Sequence, residues 1–186
     1  MSKVRSEGID SSLGEWLQAQ HVFFVATAPL SADGHVNCSP KGGDAFRVLG
    51  PWSAAYLDYT GSGAETIAHL QENGRIVLMF CAFDGKPNIV RLHGNGTVIA
   101  AGTPRYSEME RLFPMNPGAR TLIHVEVTRV STSCGFSVPL MDFRTDRDQL
   151  DRWAVSKGSE GLAAYRAEKN AASIDGLPAL PPLSLS

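Results

Sequence analysis

The spacing of the strand-like segments limits this chain more than any other feature. Between His21 and Ser131, apolar or alternating runs recur with turn signals between them. They are His21–Ala28 (HVFFVATA), Val36–Lys41, Phe46–Leu49, Ser53–Tyr59 (SAAYLDY), Arg75–Phe83 (RIVLMFCAF), Asn88–Gly94 with Gly96–Ala101, and Thr121–Ser131 (TLIHVEVTRVS). The breaks are turn formers: Asp33-Gly34 closes PLSADG, Gly50-Pro51 ends the third run, and Asp84-Gly85-Lys86-Pro87 ends the fifth. The near-continuous apolar run at Arg75–Phe83 reads as a central strand. About six or seven strands joined mostly by hairpin turns, with few and short helices, specify an antiparallel β-barrel with peripheral helices.

The expected helices are Leu13–Gln20, capped by Ser11 or Ser12; Ala64–Asn73, stopped by Asn73-Gly74; and Ser107–Phe113, ended by Pro114 and Pro117. Thr145–Lys169 reads as a helix broken between Gly158 and Gly161. Leu177–Ser186 reads as an extended tail whose leucines pack on something, a partner subunit being one choice. Residues 1–186 are expected to form one domain, with 145–186 as a C-terminal helical extension and tail.

A net charge of −2 speaks against a protein that coats nucleic-acid phosphates. No apolar run reaches the length of a membrane span, and Met1–Asp10 is polar and mixed in charge, unlike a secretory signal. Cys38, Cys81 and Cys134 are odd in number and lack C-x-x-C spacing, which fits small buried residues in a reducing, cytoplasmic setting. The five histidines are scattered singly, with no H-x-H or H-E-x-x-H pair, so no metal site is expected. Cys134 lies in STSCG without a histidine nearby in sequence, so nothing marks it as a nucleophile.

Three constellations could carry chemistry. Thr60-Gly61-Ser62-Gly63-Ala64-Glu65-Thr66 joins a strand to a helix. It is either an anion cradle of free backbone N–H groups with Ser62 and Thr66 hydroxyls, or a glycine turn capped by Ser62. Glu65 would repel a phosphate unless it turns away to the helix dipole or to a basic side chain such as Lys41 or Arg47. Ser39-Pro40-Lys41-Gly42-Gly43 either places an ammonium beside a ligand or leaves Lys41 in solvent. Arg91 and His93 share a strand face, and with Lys41 and Arg75 they either line an anionic cleft or face solvent.

The order of hairpin, SPKG, strand, YTGSGAETIAHLQENGRIVLMF and RLHGNGTV resembles the pyridoxamine 5′-phosphate oxidase-like FMN-binding split-barrel family. The likeness runs from Trp16 to Val138, and Thr132-Ser133-Cys134-Gly135 is similar to a subgroup described only as oxidases. It implies an antiparallel split β-barrel, a homodimer, and FMN in the clefts between subunits. It places Asn37, Ser39 and Lys41 on the strand lining the flavin, and Asp58, Tyr59 and Thr60 near its ring and ribityl chain. It places Ser62, Gly63, Ala64, Glu65 and Thr66 around the phosphate. The family's Arg-Lys pair at the start of this helix is replaced here by Glu65-Thr66. Phosphate binding must then rest on Thr66, Ser62, backbone N–H groups and Lys41. The family's C-terminal Arg-and-His substrate signature is absent, so vitamin B6 oxidation is not expected. Phe46, Trp52, Phe80, Phe83 or Phe136 could wall the ring. The resemblance implies an FMN-dependent oxidoreductase acting on a small molecule, with a non-catalytic flavin- or haem-binding or sensing protein, or a deazaflavin-dependent reductase, as alternatives.

Overall fold

The computed structural model describes residues 3–180. Eight strands form one antiparallel sheet: β1 (Lys3–Arg5), β2 (Val22–Thr27), β3 (Asn37–Gly42), β4 (Phe46–Gly50), β5 (Ser53–Tyr59), β6 (Arg75–Cys81), β7 (Ile89–Ala100) and β8 (Ala119–Ser133). The order is β3-β2-β6-β7-β8-β5-β4, with β1 added to β8. β8 has β7 along one edge; its other edge takes β5 over Ala119–Glu126 and β1 over Val130–Thr132. β3 and β4 end the order without pairing to each other, which leaves the seam of a split barrel. Alternation drives the closure: Val25, Leu78, Phe80, Leu92, Ile123 and Val125 point from four different strands into one core, each fully shielded from water.

The anticipated strands are all present. The two pieces at Asn88–Ala101 are one continuous strand, β7, whose register shifts between His93 and Gly94. A Cβ on Gly94 would stand 2.1 Å from the Glu126 carbonyl oxygen of β8, so only glycine lets the strands approach here. Gly94→Ala should therefore cost about 1–3 kcal/mol of stability, read as a lower denaturation midpoint with unchanged slope. The short β1 lies in the polar N-terminus, where no strand was expected, and is recruited by the overhang of β8.

Four α-helices flank the sheet: α1 (Ser11–Gln18), α2 (Glu65–Asn73), α3 (Pro104–Met109) and α4 (Gln149–Lys169). α1 is capped not by a serine but by Asp10, whose carboxylate accepts from the Leu13 amide at 2.8 Å. Gly74 ends α2 in the left-handed conformation, φ 70°, as Asn73-Gly74 foretold. α3 starts earlier than expected because Thr103 caps it ahead of Pro104. α4 breaks at Gly158, where φ is 65° and ψ 176°. Beyond α4 the chain turns back, and Leu177, Ala179 and Leu180 pack on Ala64, Ile67 and Ala68 of the α2 region of the same chain. Residues 181–186 of the expected tail lie outside the described residues. Among the described residues no helix is long and apolar enough to cross a membrane, and no cluster of His, Cys, Asp and Glu could hold a metal.

Candidate functional site

Asp58 is the centre of the site. It sits in β5 among Ala54, Tyr56 and Leu57, and its side chain is wholly buried. A bare carboxylate there would be prohibitive. Two cations resolve this: the Lys41 ammonium donates to Oδ1 at 2.9 Å, and Arg120 Nε donates to Oδ2 at 2.6 Å. Burial by itself drives the Asp58 carboxyl upward, but the charges and hydrogen bonds of Lys41 and Arg120 outweigh it and hold the group below its ordinary range. Lys41 belongs to β3 and Asp58 to β5, next to the other end of the sheet. Their ion pair therefore bridges the seam that backbone hydrogen bonds leave open.

The glycine turn lies above this triad. Arg120 Nη1 donates to the Gly63 carbonyl at 2.8 Å. Arg166 of α4 donates through Nε to Thr60 Oγ1 and through Nη2 to the Ala119 carbonyl, both at 2.9 Å. Asn170 Nδ2 donates to the Gly61 carbonyl at 2.9 Å. The turn is thus held by its carbonyls, and α2 begins at Ala64 without any side-chain cap. Ser62 does not cap the helix, so the first N–H groups of α2 are free for a ligand. Asn37 Nδ2 donates to Thr66 Oγ1 at 3.0 Å and ties the first turn of α2 to β3.

Between β3 and the turn lies a cavity of about 460 Å³. Asn37, Ser39, Lys41, Tyr59, Ser62, Gly63, Glu65 and Thr66, all singled out in the sequence, meet at its wall. Three others do not. Asp58 is buried beneath the wall, Thr60 spends its hydroxyl on Arg166, and Ala64 packs against Ala179. Glu65 pairs with neither expected base: Lys41 is taken by Asp58 and Arg47 by Asp44. Its carboxylate instead folds back over Gly63, where a Cβ would come within 2.2 Å of it.

Other expectations are corrected. Arg91 donates to Ser133 Oγ and Arg75 to the Pro29 carbonyl, so neither joins Lys41 at the cavity. Phe46 and Phe80 are core residues 4.9 Å apart, and none of the five proposed wall aromatics lines the cavity; Tyr59 does. Of the cysteines only Cys81 is buried; Cys38 and Cys134 are exposed. Arg120, Arg166, Asn170 and Ile174 were missed. The available signal was a lone Asp in SAAYLDY and a lone Arg before TLIHVEV, opposite charges each set in an apolar strand.

Residues 9–134 match the family model for pyridoxamine 5′-phosphate oxidase. The chain belongs to that family. It is 40% identical to the pyridoxamine 5′-phosphate oxidase family protein ustO of Aspergillus flavus, over 94% of this chain and 76% of that protein. Two solved structures share the fold at low identity. HupZ of Group A Streptococcus is 20% identical with a TM-score of 0.52, covering 66% of this chain and 91% of its own. A Lactobacillus delbrueckii protein carrying the pyridoxamine 5′-phosphate oxidase label is 16% identical with a TM-score of 0.53, covering 70% and 98%. The fold is the split barrel of that family. The segment that supplies Arg166, Asn170 and Ile174 lies beyond the residues matched by the family model.

Proposed function

We propose that the cavity binds FMN and that the protein is an FMN-dependent oxidoreductase acting on a small molecule. The observation that carries this reading is the pairing of a cationic wall, Lys41 and Arg120, with an uncapped helix start at one cavity. A flavin nucleotide needs an anion cradle at one end and a slot for its ring at the other, and the volume is within the usual range for a cofactor site. The residues present fit the group in a second way: Ser39 Oγ is buried at this wall with no hydrogen-bond partner. Ser62, Thr66 and the α2 amides would hold the phosphate, and Lys41 with Asn37 would meet the polar edge of the ring.

Bound flavin would supply the redox chemistry, and the protein supplies binding, orientation and charge. Among the described residues Glu65 is the sole carboxylate at the cavity wall, and no histidine or cysteine lines it. The site therefore offers little acid-base machinery of its own. That scarcity also favours a second reading, a flavin-binding protein that stores or senses its ligand without turnover. For haem, the cavity lining among the described residues offers Tyr59 as an iron ligand but no histidine, cysteine or methionine.

The chain purified without added ligand is expected to be yellow with an oxidised-flavin spectrum, and to bleach anaerobically with NADH or NADPH. Colourless protein that also fails to bind added FMN would defeat the proposal; binding without bleaching by any reductant supports the storage reading. A deazaflavin would show itself by its different absorbance. Lys41→Ala should weaken FMN binding by about 1.5–3 kcal/mol, since a charged hydrogen bond is lost. Unchanged affinity in a titration would remove Lys41 from the ligand's surroundings.

We further propose a homodimer with the flavin site at the interface. Ile174 lines the cavity and is 69% exposed, and Val36, beside the cavity-lining Asn37, is 73% exposed. These are apolar rims suited to a second copy. Light scattering should give twice the chain mass.

A further inference from the structure

We infer that Arg120 is the residue that makes this cavity select a phosphate monoester, and that it stands in for the basic pair missing at the start of α2. This rests on the flavin reading and sharpens it: the ligand is taken as its phosphate and discriminated from the dephosphorylated form.

The charge balance of the site supports this. Lys41 and Arg120 both pair with one carboxylate, Asp58, and among the described residues neither has another ion-pair partner. Arg166 is close by, and burial followed by the Arg120 charge pulls its guanidinium below the ordinary arginine range. A site in which one buried anion answers several crowded cations holds an excess of positive charge in a poorly solvated place. Such an excess is costly unless an anion completes it. The cavity is the side from which that anion can come, because Lys41 and Arg120 both line it.

The geometry of Arg120 fits the task. Its side chain is only 5% exposed, so it cannot swing into solvent. A guanidinium carries five N–H donors in a rigid fork. Nε is spent on Asp58 and one Nη1 hydrogen on the Gly63 carbonyl. The Nη2 group and the second Nη1 hydrogen have no acceptor among the described residues. Asp58 and Gly63 thereby fix the plane of the fork at the cavity wall. Planar, pre-oriented forks are the groups best matched to phosphate oxygens. Asp58 acts through Arg120 and is a positioning residue.

The test is a titration of the full chain with FMN and, separately, with riboflavin, followed by flavin fluorescence. The native protein should prefer FMN by roughly 100-fold or more, as expected for charge-assisted hydrogen bonds to one phosphate. Arg120→Gln should remove most of the FMN preference, with a much smaller loss of riboflavin affinity, and Arg120→Lys should recover only part of the preference. Because Arg120→Gln leaves Asp58 with Lys41 as its one ion-pair partner among the described residues, the double variant Asp58→Asn/Arg120→Gln is measured alongside with its thermal melt. A native protein that binds the two flavins alike, or a folded double variant that keeps the preference, overturns the inference and leaves the flavin reading standing. A native protein that binds neither flavin overturns both.

Discussion

Asp58→Ala is expected to lower stability by about 3–5 kcal/mol, the range found when one member of a buried ion pair is removed and its partners stay behind. The variant leaves Lys41, 16% exposed, and Arg120, 5% exposed, crowded together with no counterion. It also removes the ionic link across the seam, so β3 should loosen from the β5 side of the barrel. Equilibrium denaturation gives the energy, and amide exchange in Asn37–Gly42 gives the location. A cost within a few tenths of a kcal/mol would mean that water reaches the triad freely. The pH dependence carries the same signature. Folded Asp58 holds its proton more weakly than in the unfolded chain. Its contribution is therefore complete above the unfolded value of about 3.9 and is lost as pH falls below that through the lower folded value. Asp58→Ala should lack this acid limb.

Arg166→Ala is expected to cost about 2–4 kcal/mol, because two charge-assisted bonds, to Thr60 Oγ1 and to the Ala119 carbonyl, go together at roughly 1.5–3 kcal/mol each and water replaces part of them. The same substitution should weaken FMN binding, although Arg166 does not line the cavity. It holds Thr60, and Thr60 opens the glycine turn. Arg166→Lys distinguishes this from mere packing: a single ammonium cannot reproduce two directed bonds to acceptors on different segments, so only partial recovery is expected. Full recovery by lysine in both melting and FMN titration would reduce Arg166 to a point charge.

The barrel was legible because period-two alternation and turn residues are local signals. SAAYLDY is a strand at the boundaries it suggests, and RIVLMFCAF is a strand that stops two residues early, at Cys81. The site was half legible. The glycine turn, Lys41 and Asn37 stood out by residue type and order, and they do meet at one cavity. Arg120 did not stand out, because its meaning depends on pairing with a carboxylate 62 positions earlier in the chain, which no local pattern reports. Arg166 and Asn170 were hidden for the same reason, one in the C-terminal helical extension and the other just past its end. The aromatic wall failed because large aromatics are as useful to a core as to a ring site; Phe23, Phe46 and Phe80 cluster inside the barrel. Ser11 and Ser12 lost the cap of α1 to Asp10 because the helix lies two positions earlier than expected, within the usual margin at helix ends.

The placement of β8 has a consequence for how the chain is made. β5 and β7 both lean on it, from opposite sides, and both precede it in synthesis. A nascent chain that has reached Gly102 holds β2 to β7 but lacks the strand that joins β5 to β7. Two long strand edges then stand open, with Leu57, Val90 and Leu92 uncovered and Asp58 lacking its arginine. That interval, rather than the finished fold, is when the protein is most exposed to edge-to-edge association. It ends only as Arg120 and the residues after it leave the ribosome, so one late strand closes the sheet and completes the charge centre in the same step.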